Sequence, residues 1–182
     1  MDLAPRQGFR DAMARLGAAV TVLTTDGPAG GRAGITASAV CSVTDDPPTL
    51  LACLNRGGAS TPAFLANGVF CVNVLSARHR ALSDAFAGVP RRLGVPERFA
   101  AGGAAWGALA TGAPALADAV ACFDCEVEEA VEKGTHTVLF GRVRAVRLGA
   151  DEPALIWWAR RYRVVGDAGP SPAAPVAEPV PA

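Results

Sequence analysis

The chain has 182 residues, 51% of them hydrophobic and 19% charged, and its seventeen cationic side chains balance seventeen anionic ones. That length suits one domain with a sizeable core, and a net charge of zero leaves no electrostatic footprint for nucleic acid or an anionic membrane surface. With no apolar run of the length needed to cross a bilayer and no signal-like segment at the N-terminus, a soluble, cytoplasmic protein is expected.

Phe9, Met13 and Leu16 recur at helical spacing and stop at Gly17, which predicts an amphipathic first helix. Ala19 to Thr25, rich in Val and Thr, predicts a strand. The Asp-Gly-Pro-Ala-Gly-Gly segment at 26–31 then supplies turn chemistry before a second strand, Ala33 to Ser38, closes a hairpin. Pro47 and Pro48 break the next segment, and Thr49 to Leu54 and Val69 to Leu75 each have the length of a buried strand. Between them, Ser60 to Asn67 predicts a short helix with Ser60 as N-cap, Pro62 in its first turn and Gly68 as terminator. Ser76 likewise caps a helix running through Phe86, which puts His79 on a solvated face.

Residues 88–115 are rich in Gly, Ala and Pro with weak periodicity, and predict a long excursion over the surface. The strongest β signal is at Ala119 to Val131 and Thr135 to Leu148, joined by Glu-Lys-Gly as a hairpin or barrel corner; Tyr162 to Val165 is the last predicted strand. From Gly166 onward the chain is too rich in Pro and too poor in large apolar groups to pack. The reading is therefore one domain over 1–165 and a disordered tail over 166–182.

No βαβ alternation and no Gly-x-Gly-x-x-Gly after a strand supports a Rossmann domain; a mainly β, Greek-key barrel with peripheral helices fits best. The five cysteines are an odd number set mostly among apolar residues, so a disulfide framework is disfavoured. Cys122 and Cys125 have C-x-x-C spacing but no second pair to complete a metal site, and no metal is expected. The two histidines, His79 and His136, come without the nucleophile and acidic orienter of a hydrolytic triad.

The residues that carry candidate chemistry cluster between 34 and 60. Thr36, Ser38 and Ser42 offer short hydroxyls, and Asn55, Arg56 and two glycines precede the Ser-Thr-Pro start of a helix, where a phosphate fits. Read alone, the same residues are equally ordinary strand hydroxyls and an ordinary N-cap. His136 after Gly134 and Thr135 is a strand-end histidine open to water unless a ligand meets it. Trp157, Trp158 and Tyr162 with Arg160, Arg161 and Arg163 suit either ring stacking or packing.

Phe-Arg-Asp-Ala-Met at 9–13, Gly-Ala-Ala-Val at 17–20, Thr-Thr-Asp-Gly-Pro-Ala-Gly at 24–30 and nearly all of 34–57 carry a family likeness. So do Cys-Val-Asn-Val-Leu-Ser at 71–76, Arg-Phe-Ala-Ala at 98–101, Phe-Asp-Cys at 123–125 and Gly-Thr-His at 134–136. On these, in order over about residues 9–165, the chain resembles the short-chain flavin reductases that feed two-component flavin monooxygenases. The resemblance implies an FMN-binding split barrel, a homodimer, that passes a hydride from NADH to FMN (FAD being the alternative) and hands reduced flavin to a separate monooxygenase. It further implies a partner in uracil or pyrimidine degradation, with 4-hydroxyphenylacetate hydroxylase as the alternative and a non-catalytic flavin-binding barrel as the rival class.

On the same resemblance, Thr36, Ala37 and Ser38 face the pyrimidine edge of the ring, where negative charge grows on reduction. Ser42 and Val43 flank the reacting nitrogen, Cys53, Leu54, Asn55 and Arg56 follow the ribityl chain, and Arg56 with Ser60 holds the phosphate. His136 assists beside the nicotinamide, Tyr162 supports the site, and no acid, base or nucleophile is needed, because hydride transfer asks chiefly for orientation.

Overall fold

The computed structural model describes residues 5–91 and 93–166, so the tail predicted at 166–182 lies, but for Gly166, outside the described residues. The chain opens with a helix α1 (Pro5–Met13), a two-residue strand β1 (Ala18–Ala19) and the hairpin β2 (Thr21–Thr25) and β3 (Ala33–Ala37). After β4 (Val40–Asp45) and β5 (Pro48–Asn55) come α2 (Thr61–Asn67), β6 (Val69–Val74) and α3 (Arg80–Phe86). The segment read as an excursion contains α4 (Val95–Ala100) and two short strands, β7 (Trp106–Ala108) and β8 (Pro114–Leu116). Two thirteen-residue strands, β9 (Ala121–Lys133) and β10 (His136–Leu148), precede β11 (Ala154–Trp158) and β12 (Arg161–Val165). Among the described residues no helix is long and apolar enough to cross a membrane.

Seven strands form one antiparallel sheet in the order β3-β2-β6-β9-β10-β5-β4. Laid flat, its outer strands would stand about 29 Å apart at the usual interstrand spacing. Yet β3 ends at Ala37 and β4 begins at Val40, so two linking residues hold those edges within about 11 Å at one corner. The sheet must therefore curl into a barrel that stays open along the β3–β4 seam, the mainly β split barrel expected from the sequence. Two register shifts between β9 and β10, at Phe140/Gly141 and Val143/Ala145, add the bend. Gly141 sits at the first, where a Cβ would lie 2.5 Å from Cζ of Phe70, so no larger residue fits that close approach.

Alternation along the strands divides the core in two. Val22, Cys71, Cys122, Leu82, Phe86 and Phe99 pack on the face covered by α3, α4 and β11. Leu23, Val72, Leu54, Phe70, Leu139 and Cys125 fill the concave face, with Phe64 of α2. The C-x-x-C pair thus belongs to opposite faces of β9, since an odd separation on a strand reverses the side chain, and cannot chelate one ion.

All five residues of β2, Thr-Val-Leu-Thr-Thr, are buried, and its three hydroxyls reach carbonyls: Thr21 donates to Ala37, Thr24 to Cys71 and Thr25 to Val69. Beside it Asn73, fully buried on β6, donates from Nδ2 to the Val22 carbonyl at 2.9 Å and to Thr24 Oγ1 at 3.0 Å, while its Oδ1 accepts the Leu116 amide at 2.7 Å. Asp124, fully buried on β9, accepts from the Thr111 amide at 2.7 Å and from the Thr111 hydroxyl. These two side chains pin the far end of the 88–115 excursion to the sheet.

Two local readings are corrected. Ser60 precedes α2 but makes no side-chain cap; its hydroxyl donates to the Gly34 carbonyl at 2.9 Å, while Gly68, left-handed at φ 66°, ends the helix as expected. His79 is buried, not solvated. The segment after Ser76 begins as a 3₁₀ turn over Ala77–His79, where the Ser76 amide donates to His79 Nδ1 at 3.1 Å and Nε2 faces Asp118. The imidazole closes a capping box and so turns inward.

Asn73→Ala is expected to lower unfolding stability by about 2–4 kcal/mol, because it strands the buried Leu116 amide and frees Val22 and Thr24 together. Equilibrium urea unfolding measures it; a loss under about 0.5 kcal/mol would show that the excursion is held by its apolar contacts alone.

Candidate functional site

The open seam is lined by a trough that runs along β3 in three joined compartments. The largest, about 640 Å³, lies between α1 and the Ser38–Ala39 corner and is lined by Met13, Ser38, Cys41, Cys53, Trp157 and Arg160 among others. Ser38 and Trp157 are shared with a middle compartment of about 180 Å³ bounded by Thr36, Ala37, Ala87 and Tyr162. Thr36 and Ala87 are in turn shared with an outer compartment of about 370 Å³ that also takes in Gly34, Ser60, Gly88 and Arg98.

The strand edge facing this trough is polar by construction. Gly34 presents its carbonyl outward to Ser60, whereas Ala37 presents its carbonyl toward β2, to the Thr21 hydroxyl. In an antiparallel strand the N–H and C=O of one residue point the same way and those of the next residue the other way. Thr36 therefore turns both groups to the free edge, and Ser38, the first residue of the link to β4, lines the trough beside it. Such an edge offers donors and acceptors in alternation and matches the mixed donor–acceptor pyrimidine edge of a flavin, so the residues present fit that group.

Side chains around the edge are held by each other. Thr36 Oγ1 donates to the Ser83 carbonyl at 2.6 Å; Tyr162 donates its phenol to Asp84 Oδ1 at 2.7 Å and lies 3.0 Å from Ser83 Oγ. Arg80 stands 5.2 Å over the Tyr162 ring, and Trp157 meets that ring edge-on at 5.1 Å. Two residues of α3, Ser83 and Asp84, thus tie β3 to β12. Sequence reasoning missed both; their one signal was a Ser-Asp pair inside the apolar run Leu82 to Phe86.

Of the twelve expected site residues, Thr36, Ala37, Ser38, Cys53, Ser60 and Tyr162 line the trough. Ser42 lines instead an apolar cavity of about 360 Å³ on the inner side of the curled sheet, with Val72, Phe123 and Val143, and Val43 is exposed beside it. Leu54 is 1% exposed in the concave core, so its side chain cannot follow a ribityl chain; strand alternation sends it inward from Cys53.

Asn55, Arg56 and His136 form a separate group at the β9–β10 hairpin. Asn55 folds the loop into α2, its Oδ1 accepting the Gly57 amide at 2.9 Å. Arg56 pairs with Glu132 at 2.9 Å and donates to the Gly134 carbonyl at 3.3 Å, so the expected phosphate role meets an arginine already engaged by a carboxylate. His136 is exposed, sits opposite Asn55 and has Nδ1 2.9 Å from the Thr135 hydroxyl; it lies two pairs, about 7 Å, along the strand from the trough residue Cys53.

A family model described as flavin reductase like domain matches residues 13–166. A protein of Ancylobacter novellus named FMN reductase (NADH) RutF is 58% identical over 160 residues, 88% of this chain and 85% of that one. A crystal structure of a candidate flavin reductase from Haemophilus somnus superposes with a TM-score of 0.82 at 42% identity, covering 90% of this chain and 100% of that one. BorF, the flavin reductase component of a bacterial two-component tryptophan halogenase, gives 0.79 at 30% identity over 89% of this chain and 99% of its own.

Tyr162 is the one tyrosine of the chain, so its phenol can be followed directly by ultraviolet titration. Burial pushes its pKa above the usual tyrosine range, and donation to Asp84 adds to the rise. Its folded value being raised, the native state keeps the proton longer than the unfolded chain, and stability is expected to fall as pH rises from the ordinary value, near 10, toward the folded one. Tyr162→Phe should make that alkaline slope shallower, the remainder coming from buried thiols such as Cys125, which burial pushes up to about 12; an unchanged slope would remove Tyr162 as a contributor.

Proposed function

This chain belongs to the flavin reductase like domain family, and we propose that it is an NADH-dependent FMN reductase that supplies reduced flavin to a separate monooxygenase. The observation that carries the reading is the name of the Ancylobacter relative, FMN reductase (NADH), over 88% of the chain; the trough along β3 supplies the physical means. Bound flavin would provide the ring that accepts a hydride from nicotinamide. The amides and carbonyls of Thr36 and Ser38 hold and orient that ring at its polar edge. The amides meet negative charge where it grows, which favours the transition state over the ground state.

Trp157 and Tyr162 wall the middle compartment, and the Ser83–Asp84 bonds keep that wall in place. His136 would meet the nicotinamide from the hairpin side, its ring held by the contact between Nδ1 and the Thr135 hydroxyl. A trough open along its length supports exchange of flavin with solvent, as delivery to a second protein requires. BorF serves such a two-component system, and the name of the Ancylobacter relative favours pyrimidine breakdown as the pathway here. The reaction belongs in the cytoplasm, where NADH is held, with residues 1–165 as the reducing domain.

A homodimer completes the reading. No residue of α1 is buried, yet Phe9 is 67% exposed and Leu16, just beyond the helix, 62%, and both line the inner compartment beside Met13. An apolar face of this kind over a binding trough is suited to cover by a second copy. Sedimentation at micromolar concentration should give a dimer; a monomer that turns over NADH would refute it.

Anaerobic stopped-flow with NADH and varied FMN should show saturable, multiple-turnover loss of nicotinamide absorbance together with flavin bleaching. His136→Ala is expected to raise KM for NADH about fivefold, the worth of one ordinary contact, and to leave FMN affinity within about twofold. Flavin binding without turnover would leave a binding module and end the enzyme reading.

A further inference from the structure

Resting on that reading, we infer that Arg160 and Asp11 are a positioning pair for the nicotinamide: they hold α1 as the wall of the inner compartment, beside the flavin ring. β11 and β12 are joined by two residues, Ala159 and Arg160, since Trp158 pairs directly with Arg161. Both take a left-handed backbone, at φ 51° and 58°. A two-residue hairpin turn of that form favours Asn-Gly, because a Cβ is penalised at each position. Neither residue here is of that kind, and such strain persists only where neighbours over-determine it, as they do at ligand clamps.

The neighbour is the N-terminal segment, which three successive residues of the hairpin tip grip. Trp158 Nε1 donates to the Arg15 carbonyl at 3.0 Å, the Ala159 amide to the Ala14 carbonyl at 2.7 Å, and the Arg160 guanidinium to Asp11 Oδ1. The first two satisfy carbonyls that the end of α1 leaves open; the third fixes the helix itself. A glycine at position 160 would make the turn without strain but would have no side chain to reach Asp11. Arg160, and after it Gln7, holds the Asp11 carboxyl below its usual range, so the pair is charged at neutral pH. Because α1 buries no residue, core packing does not place the helix; the hairpin tip does. Arg10 and Met13 of α1 line the inner compartment with Cys53, and Cys53 lies two pairs from His136, the residue read as meeting the nicotinamide. Where the tip puts α1 thus sets the room left for the nicotinamide.

Asp11→Ala breaks the pair at a residue that does not line the compartment. Amide hydrogen exchange in α1, read by mass spectrometry, should quicken about fivefold, the upper worth of an exposed ion pair. Binding of NAD+ to the FMN-loaded protein, read from the flavin spectrum, should weaken by about the same factor while FMN affinity stays within about twofold. In turnover the loss should fall on KM for NADH and not on kcat. Arg160→Gly relieves the turn, so it should quicken exchange in α1 equally while the urea midpoint holds or rises, and Arg160→Lys should restore most of the loss. The double variant should match either single one within about twofold, because both remove one contact. Unchanged exchange in α1, equal loss of FMN, or a loss explained by dissociation to monomers would each overturn the assignment. So would NAD+ affinity that falls with Arg160→Gly but not with Asp11→Ala, since Arg160 would then touch the dinucleotide itself. Exchange and NAD+ binding are read without turnover, so an inactive wild type would end the reductase reading alone.

Discussion

Everything that positions the site follows from a two-residue link. Ser38 and Ala39 join the strands at opposite edges of a seven-stranded sheet, and covalent reach forces those edges together at one corner. At that corner β3 and β4 approach without pairing, each keeping its own neighbour, β2 and β5. The barrel is therefore split, and the split leaves the outer edge of β3 with unmatched N–H and C=O groups. An unmatched edge in a stable protein has to be covered or used. Here Ser60 takes the first outward carbonyl, at Gly34, and the trough takes the next positions, Thr36 and Ser38.

A curl of this tightness needs its long strands bent and its central strand filled. The bends come at the two register shifts of β9 and β10, with Gly141 giving way to the Phe70 ring. The filling is unusual in being polar: three threonines of β2, Asn73 and Asp124 are buried in the middle of the sheet. Several of their bonds reach the 88–115 excursion: Thr24 donates to the Pro114 carbonyl, Asn73 accepts the Leu116 amide and Asp124 accepts the Thr111 amide. Burying an unmatched amide costs more than the net gain from an ordinary hydrogen bond. The polar core is thus what permits a long, Gly- and Pro-rich excursion to lie flat against the barrel.

Long segments with one dominant period were legible in the sequence. The hairpin of β9 and β10, the buried strands β5 and β6, the β2–β3 hairpin and the Gly68 stop all lie within a residue or three of where patterning places them. β4 was not legible, because five of its six residues are exposed and it carries no buried period. β7 and β8, three residues each, are too short to show one, and β11 hides in an aromatic run that reads equally well as a cluster. Side-chain partners were the least legible. That Arg56 is held by Glu132 depends on a hairpin returning across 76 residues, and that Ser60 serves Gly34 rather than its own helix depends on α2 lying against the free end of β3.

The backbone character proposed for the ring contact explains why the trough is hard to see in residue types. When a strand edge does the holding, the side chains at Thr36 and Ser38 are constrained by what lies behind them, and Thr36 gives its proton to Ser83, not to the trough. A ring held by backbone groups on one edge and open to solvent along the trough gains orientation without deep burial, so affinity stays modest while geometry stays fixed. Hydride transfer depends far more on the second than on the first. A reductase whose product must leave is well served by that division, with orientation assigned to the rigid seam.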